Sequence, residues 1–547
     1  MTSKTDLTSL GEVVSTDVLI IGGGVAGLPA AIKARQARPS LDVLVVDKAT
    51  PGYAGQGPKE GKGAVKGSSM VITEEQLEEW LKWKVETGSY LNDQEFVYAI
   101  GKDTFKVYQE IADWGAPLDR DEKGKMRVTS SDPYRSTVGW LSPDMMQFLR
   151  GKAQSEGARI LKRIMIVELL TEGERVAGAV GFSIDSGQFY ILKAKATIIA
   201  NGSCLYRYRR LFTYNAGEGV SMAYNVGAEM RNAEFGNTTN AVTKFNGHGA
   251  HRTPPHLENA KGENLFQKYG IPIEGSDFER TVLAMKNEIE AGRGPIYYAG
   301  GGEERTRKRL GIPLDQKVEA TFSTNARPGP IRVDLHCRTT VPGLWAIGDA
   351  CMPGAAFTGA QAPNAIGAEG LPLAVITGYW AALDTADFTA EAAAPDINPA
   401  EVRRLKEQIF APLERKQGFD PNDAIYQVQE AVIPVKYNVF RSGERMQEAL
   451  AKVEDVKGRL PTLWAKDLHY LAKAHEAKSM ALCAEMTYRA ALMRKESRGF
   501  HMREDYPERD DQNWLKWIII KKDKEEMKLW TEDVPIDKYK IKPPKKT

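Results

Sequence analysis

The sequence has few of the residues that bind metal clusters or form disulfide frameworks. Its four cysteines form no CxxC pair and are spread over the chain at Cys204, Cys337, Cys351 and Cys483. Such scattered thiols cannot hold an iron–sulfur cluster or a structural zinc ion within one chain, so we predict no metal site. They also argue against a disulfide framework, which fits a reducing compartment.

Long apolar runs are missing as well. No stretch approaches the roughly 18 apolar residues that cross a bilayer. Residues 1–11 lack the apolar core of a signal peptide. We therefore expect a cytoplasmic protein with no direct membrane span.

The chain also lacks an excess of either charge. Its 74 basic and 72 acidic residues leave a net charge of +2, whereas nucleic-acid binding needs a clustered basic face. We predict no nucleic-acid partner. The alternating Tyr and Arg residues at 206–210 are interpreted as local packing near a cofactor, and the lysine-rich segment 538–546 as a solvated tail.

A glycine-rich turn follows the first apolar run of the sequence. Asp17–Ile21 is typical of a strand, and Gly22, Gly24 and Gly27 then form a GxGxxG pattern that includes Val25 and Ala26. In dinucleotide-binding folds these glycines permit the tight turn, the approach of a diphosphate and close packing of helix on strand. Asp47 ends the second strand 20 residues after Gly27, the spacing at which an acidic residue binds the ribose.

A second signal lies in the segment 341–350. A predicted strand there ends in Gly348 and Asp349, followed by small residues. Such a strand end can return to the same nucleotide, and its acid can bind the sugar-alcohol chain of a flavin. Together with the first turn, it favours FAD over NAD.

The remaining pattern predicts about three structural units in 547 residues. We expect helices at 74–86, 93–114 and 367–383, several strands within 162–200, and strands at 331–334 and 344–348. Residues 236–330 are rich in Gly, Asn, His and Pro, with a charged helix near 279–290, and residues 389–399 are typical of a linker. Beyond it the chain is helix-rich to about 495 and then predicted to be irregular.

The predicted fold class is α/β. A Rossmann-like FAD-binding domain of glutathione-reductase type (1–235 and 331–388) is interrupted by an α+β capping domain (236–330). A C-terminal helical domain and tail (400–547) follow.

Several blocks resemble the flavoprotein subunits of the fumarate reductase/succinate dehydrogenase superfamily. They are the Gly22–Gly27 turn with Asp47-Lys48-Ala49, the segments 198–202, 215–235 and 341–350, and the C-terminal motif 496–511 with Trp514. The chain looks nearest to the branch that contains the adenylylsulfate reductase α subunit. The resemblance spans nearly the whole chain.

The resemblance implies a bound FAD. Its expected contacts are Gly22, Gly24, Val25, Ala26, Gly27, Asp47, Lys48, Ala200, Asn201, Gly202, Glu218, Gly348, Asp349, Gly370 and Leu371. Succinate dehydrogenases bind FAD covalently through a histidine shortly after the second strand. The first histidine here is His248, so non-covalent binding is expected.

The resemblance also implies an electron-transfer partner. The chain has no second dinucleotide motif, no haem motif and no cysteine cluster. We therefore expect a separate, ferredoxin-like iron–sulfur subunit.

Candidate catalytic residues lie in the predicted cap. Lys244, His248 and His251 form a polar cluster, and Arg327 precedes the segment that returns to the FAD domain. Histidine can deliver a proton near neutral pH, and Lys or Arg can neutralise an anionic substrate. Fumarate-type enzymes carry a substrate-binding arginine that the matching stretch here, Thr358–Gly367, lacks. This departure argues against a simple dicarboxylate substrate.

Three functions remain open at this point. The leading one is an FAD-dependent oxidoreductase subunit acting on a small, anionic substrate. The second is a fumarate-reductase-like C=C reductase or dehydrogenase acting on a substrate other than a dicarboxylate. The third is a non-catalytic flavin relay within a larger electron-transfer complex.

Overall fold

The structure is a computed structural model, and most of the chain is described. The described residues are 6–53, 55, 64–132, 134–142, 144–208, 215–235, 237–245, 248–252, 256–271, 278–299, 307, 311–326, 329–351 and 370–544.

The strands range from two to eleven residues in length. In chain order they are β1 (Glu12–Ile21), β2 (Val43–Asp47), β3 (Ala64–Met70), β4 (Val128–Asp132), β5 (Arg135–Ser142), β6 (Arg159–Lys162), β7 (Ile164–Glu172), β8 (Arg175–Ser183), β9 (Phe189–Ile199), β10 (Met230–Arg231), β11 (Asn237–Phe245), β12 (His248–Arg252), β13 (Leu257–Glu258), β14 (Ile296–Tyr298), β15 (Glu319–Ala326), β16 (Leu344–Ala346), β17 (Phe440–Arg441), β18 (Met502–Arg503), β19 (Lys516–Asp523) and β20 (Glu526–Asp533).

Among the described residues, the two longest α-helices lie after residue 369. In chain order the α-helices are α1 (Gly27–Ala37), α2 (Glu74–Thr87), α3 (Gln94–Asp113), α4 (Asp144–Ser155), α5 (Glu218–Asn225), α6 (Leu265–Lys268), α7 (Phe278–Glu290), α8 (Gly370–Glu391), α9 (Pro399–Glu414), α10 (Pro421–Val432), α11 (Val435–Asn438), α12 (Gly443–Arg459), α13 (Leu468–Met493) and α14 (Asp511–Trp514). Side chains that cap the first turn fix several starts. Asp93 accepts from the Phe96 N–H and Asp467 from the Tyr470 N–H.

The central sheet is built around β1, whose residues Val18 to Ile20 are fully buried. The order β6-β2-β1-β9 is parallel throughout. The long strand β9 then pairs with two partners: its first half lies antiparallel to β8, and its last three residues lie parallel to β16. The carboxyl ends of β1, β2, β9 and β16 therefore meet at one edge, where α/β sheets bind ligands.

Helices α1 and α8 pack against each other beside this sheet. The contact depends on Gly378, because a Cβ there would lie 2.6 Å from the Ala26 carbonyl oxygen. The predicted α/β fold class, with a parallel sheet and a helical region in the C-terminal part, is confirmed. The strands predicted within 162–200 and the helices predicted at 74–86, 93–114 and 279–290 are confirmed as well.

A second sheet occupies residues 237–326. Its order is β12-β11-β15-β14-β13, with a small core of its own that includes Leu257, Phe266 and Met285. Asn237 at its start pairs with Ala326 at its end, so the chain enters and leaves this unit at one place. The boundaries 236 and 330 remain a prediction.

Two expectations about irregular or extended segments were wrong. The segment 331–334 is no full strand, since only Ile331 forms an isolated bridge, to Met230. The end of the chain is not irregular, because β19 and β20 form a hairpin that pairs with β10. Its turn places Lys524 at φ 56°. Hairpin turns of this kind usually carry Gly or Asn, so the sequence held no turn signal.

The C-terminal tail contacts the protein at least through Ile541. Tyr539 is buried, Gln94 on α3 donates to the Ile541 carbonyl at 2.6 Å, and Lys540 contacts Glu78 on α2. The prediction of a solvated tail was therefore wrong for these residues.

Candidate functional site

The first turn of the site needs glycine at two positions, because a side chain there would collide with neighbouring backbone. Gly22 has φ 119°, and a Cβ on it would lie 2.5 Å from the Ala200 carbonyl oxygen. A Cβ on Gly27 would lie 1.9 Å from the Gly22 carbonyl oxygen. At Gly24, in contrast, no described atom lies within 4 Å of the Cβ position. This open space lies at the N-terminus of α1, where backbone N–H groups favour a phosphate group.

The second glycine signal lies directly against the first. Gly348 has φ 60°, and a Cβ on it would lie 2.9 Å from the Ala26 Cβ. The Ile347 N–H donates to the Ile199 carbonyl at 3.0 Å, which aligns the end of β16 with the end of β9. The structure thus brings Gly348, with Asp349 next in sequence, against Ala26 of the Gly22–Gly27 turn.

Gly370 and Leu371 begin α8, and both are half-buried. The stretch Thr358–Gly367, in which the fumarate-type arginine is missing, lies outside the described residues.

Asp47 closes the turn from the end of β2. Its carboxylate accepts from the Gly23 N–H and the Ala49 N–H, each at 2.7 Å. Burial raises the pKa of Asp47, and these two N–H donors offset only part of that rise. A carboxylate oxygen has more than one lone pair, so Asp47 can still accept from a ribose hydroxyl.

An ion cluster begins at Lys48, the residue after Asp47; we call it the edge ion cluster, and its members are Lys48, Arg207, Glu218 and Glu476. Lys48 Nζ donates to Glu476 Oε1 at 2.7 Å and contacts Glu218. Arg207 contacts the other oxygen of Glu476. Burial would raise the pKa of Glu218, but the neighbouring Lys48 outweighs it, so the pKa is lowered.

Sequence reasoning missed Glu476. It lies 428 residues from Lys48 on α13, and no local pattern marks it. The contact of Arg207 with Glu476 agrees with the interpretation of 206–210 as local packing, although Arg209 and Arg210 lie outside the described residues.

The turn after β9 completes this edge. The Asn201 side chain packs against Gly219, because a Cβ on Gly219 would lie only 2.0 Å from Asn201 Oδ1. That Oδ1 is buried and has no hydrogen-bond partner among the described residues, while Asn215 donates to the Asn201 carbonyl at 3.2 Å. A buried acceptor without a donor is costly unless a ligand or water supplies one. The open space at Gly24 and this acceptor both fit a dinucleotide.

Three of the four predicted catalytic residues lie on the second sheet. Lys244 pairs with Gly249, while His248 and His251 pair with Phe245 and Thr243 across β11 and β12. This brings the three residues onto one hairpin. Arg327 lies outside the described residues, directly after the end of β15. Because β15 ends beside Asn237, seven residues and about 23 Å of β11 separate that end from Lys244.

A second group of charged residues joins the C-terminal motif to the segment before β11. We call it the C-terminal ion cluster: Glu234, Arg441, Arg494, Glu496, Arg498, His501, Arg503, Asp505 and Asp511. Arg494 donates to Glu234 at 2.8 Å and to Glu496 at 2.8 Å, and all three side chains are fully buried. Arg498 donates to Glu496 and Asp511.

His501 lies inside this cluster. Burial, with Arg441 and Arg494 nearby, holds its pKa well below the usual range. Its Nδ1 lies 2.7 Å from Arg441 Nη1, so the neutral ring accepts there, and its Nε2 lies 3.2 Å from the Arg494 carbonyl, to which it donates. Arg498 and His501 therefore belong to a buried structural network.

Two features are absent from the described residues. These residues contain no group of three or more His, Cys, Asp or Glu side chains placed to hold a metal ion. Among them, no helix is both long enough and apolar enough to span a bilayer.

One edge of the parallel sheet carries the Gly22–Gly27 turn, Asp47 at the end of β2 and Gly348 after β16. This arrangement defines a dinucleotide-binding protein. Two sequence families match this chain: "FAD binding domain" over residues 17–299, more than half of it, and "Fumarate reductase flavoprotein C-term" over 429–547. The chain belongs to this fumarate reductase/succinate dehydrogenase flavoprotein family, and it is an FAD-dependent oxidoreductase flavoprotein.

Relatives in sequence and in structure cover more than nine-tenths of this chain. The fumarate reductase flavoprotein subunit of Mycobacterium tuberculosis is 25% identical, over 92% of this chain and 94% of the relative. The structure of Escherichia coli quinol fumarate reductase superposes with a TM-score of 0.83 at 22% identity, covering 98% and 99% of the two chains. That of adenylylsulfate reductase from Archaeoglobus fulgidus has a TM-score of 0.75 at 23% identity, covering 96% of each chain. The two structural matches show a shared fold.

Proposed function

We propose that this protein is the flavin-carrying subunit of a larger oxidoreductase. It would bind FAD non-covalently, act on a small anionic substrate beneath the unit 236–330, and exchange electrons with a separate iron–sulfur subunit. The observation that carries the proposal is the meeting of Gly22–Gly27, Asp47 and Gly348 at one sheet edge.

The residues of this edge have distinct roles in the proposal. Gly24 and the start of α1 receive the diphosphate, and Asp47 accepts from the ribose. Asn201 offers its free oxygen to the nucleotide, and Asp349 follows the returning strand toward the sugar-alcohol chain. When bound, FAD supplies the redox chemistry, because it takes up and releases two electrons.

Non-covalent binding is supported by the sequence. No histidine occurs before His248, so the stretch after β2 cannot supply a histidyl bond to the flavin. Denaturing the protein in acid and centrifuging it tests this directly. We expect all the flavin in the supernatant; flavin that stays with the pellet would contradict non-covalent binding.

The unit 236–330 is proposed as a cap over the substrate. Its strands leave from Asn237 and return at Ala326, and these two residues pair with each other. Lys244, His248 and His251 share one hairpin and could neutralise and protonate an anion. We expect Lys244→Met and His248→Gln to lower kcat/KM at least tenfold while the protein keeps its FAD. Unchanged turnover in both variants would instead favour a flavin relay.

The iron–sulfur partner is proposed from what the chain lacks and from its relatives. The sequence holds no second dinucleotide motif and no cysteine cluster. Purifying the chain from its native host without overexpression tests this proposal. We expect a second subunit with iron and acid-labile sulfide; a lone flavoprotein that is active with free NADH would contradict it. The cytoplasm remains our proposed compartment, supported by the cysteine pattern.

A second candidate function has specific support. The similarity to a fumarate reductase flavoprotein subunit favours a C=C reductase or dehydrogenase. The two functions separate when the reduced protein is mixed with candidate oxidants. Reoxidation by an unsaturated acid favours the second function, and reoxidation by a sulfur oxyanion ester favours the first.

A further inference from the structure

The edge ion cluster contains one member from a distant part of the chain. Lys48 directly follows Asp47, the last residue of β2 in the central sheet, and Glu218 is the first residue of α5. Glu476 comes instead from the middle of α13, in the C-terminal helical part. Its carboxylate is used on both sides, because one oxygen accepts from Lys48 at 2.7 Å and the other contacts Arg207.

The burial of these acids makes the arrangement costly to break. The side chains of Glu218 and Glu476 are 8% and 6% exposed, while that of Lys48 is 30% exposed. The cluster is electrically neutral, with two acids and two bases. Removing one acid leaves an excess of positive charge in a poorly solvated place.

The geometry also limits what Lys48 can do. An ammonium group has three N–H donors, and the two acids take two of them. No further acceptor for Lys48 Nζ lies among the described residues, and the Lys48 side chain is 30% exposed, so its third donor is available to a ligand. A lysine held at two points is oriented; without Glu476, a single contact would leave its four-carbon stem free to turn.

We propose that Glu476 is a positioning residue for the nucleotide end of FAD. It fixes Lys48 so that the third donor of Lys48 serves the adenosine part of the cofactor. It thereby makes FAD affinity depend on the docking of α13 against the FAD-binding sheet. This inference rests on the proposed FAD site and is independent of the substrate and the partner.

Helix α13 offers a matched control. Glu485 is also buried, with 4% exposure, and it also lies between a lysine and an arginine, Lys457 and Arg489. It lies nine residues from Glu476, about 13 Å along the helix. A substitution at Glu485 removes a comparable buried ion pair outside the edge ion cluster.

The test compares Glu476→Gln with Glu485→Gln in the full-length protein after its FAD has been removed. Flavin fluorescence during titration with FAD gives the Kd, and melting with and without FAD gives the shift in Tm on binding. We expect both variants to melt lower than the wild type without FAD. Only Glu476→Gln should raise the Kd, about tenfold, and reduce the FAD-induced shift. An unchanged Kd in Glu476→Gln, or an equal rise in Glu485→Gln, would overturn the proposal.

A second comparison asks whether Glu476 acts through Lys48. If it does, Lys48→Met and the double variant Lys48→Met/Glu476→Gln should bind FAD with the same Kd. Additive losses would show that Glu476 acts by another route and would overturn the proposal. Failure of the wild-type protein to bind FAD would contradict the FAD site itself, so the two failures are distinguishable.

Discussion

The nucleotide-binding edge and the C-terminal ion cluster are both buried, but they are built differently. The edge is shaped by backbone at Gly22, Gly24, Gly27 and Gly348, where side chains are excluded or space is left open. The C-terminal ion cluster is shaped by long side chains, with four arginines held by carboxylates and carbonyls. The edge leaves space for a ligand. In the C-terminal ion cluster, the side chains bond to one another and join distant segments of the chain. We therefore expect substitutions at the edge to change FAD binding first, and substitutions in the cluster to change stability first.

The largest effect is expected at Gly27. A Cβ in Gly27→Ala would lie 1.9 Å from the Gly22 carbonyl oxygen, so strand and helix must separate where the diphosphate is expected. We predict loss of FAD binding by at least about a hundredfold, measured by titration of the FAD-free protein. Gly151→Ala on α4 is the control, because nothing lies within 4 Å of that Cβ position. Unaltered FAD binding in Gly27→Ala would show that the turn is not part of the site.

Substitutions in the C-terminal ion cluster should mainly lower the free energy of unfolding. Arg494→Met leaves Glu234 and Glu496 buried without their shared partner, at an expected cost of about 3–5 kcal/mol in the free energy of unfolding. Urea unfolding measures it. The fraction that stays folded should bind FAD with nearly the wild-type Kd. A large rise in Kd with little loss of stability would reverse the contrast between the two regions.

Lowering the pH should destabilise the folded protein through His501, a member of the C-terminal ion cluster. Its pKa is lowered in the folded protein, so below about pH 6.5 the unfolded chain takes up a proton that the folded one does not. Stability should thus fall as pH drops from 6.5, by about 1.4 kcal/mol per pH unit for this group. We expect His501→Gln to be less stable at pH 7.5 but to show a flatter decline toward pH 5. The exposed His336, 3.7 Å from Asp384, is the control; if its replacement by Gln flattens the decline equally, the assignment is wrong.

The smallest effect on stability is expected where the C-terminal part contacts the unit 237–326, which contains the second sheet. Lys286 on α7 lies 3.3 Å from Glu504, and both side chains are partly exposed. A double-mutant cycle with Lys286→Met and Glu504→Gln should give a coupling below about 1 kcal/mol. A coupling as large as the cost at Arg494 would place this contact in the same class as the buried cluster.

The contrast also explains what the sequence could predict. The glycine turn, Asp47 and the Gly348 strand end are local patterns with fixed backbone requirements, and the structure brings them together. Glu476 and Arg441 are single charged residues in ordinary helical or extended segments. Their partners lie hundreds of residues away, at Lys48 and Glu234, so no local spacing marks them.

Turn chemistry limited the prediction at the C-terminal end. The β19–β20 hairpin turns at Lys524, whose positive φ is carried by a residue that gives no turn signal. The segment 331–334 shows the reverse case. Its alternating pattern resembles a strand, but Cys337 at φ 62° turns the chain back after only one bridge.

Titrating the FAD-free protein with FAD, for wild type and Gly348→Val, tests the central claim most directly. A side chain at Gly348 would meet Ala26 and would have to adopt φ 60°, although residue 348 is 321 positions from Gly27 in the sequence. We predict a single FAD bound by the wild type and a loss of that binding in Gly348→Val. Wild-type affinity in Gly348→Val would contradict the claim that the two strand ends share one flavin.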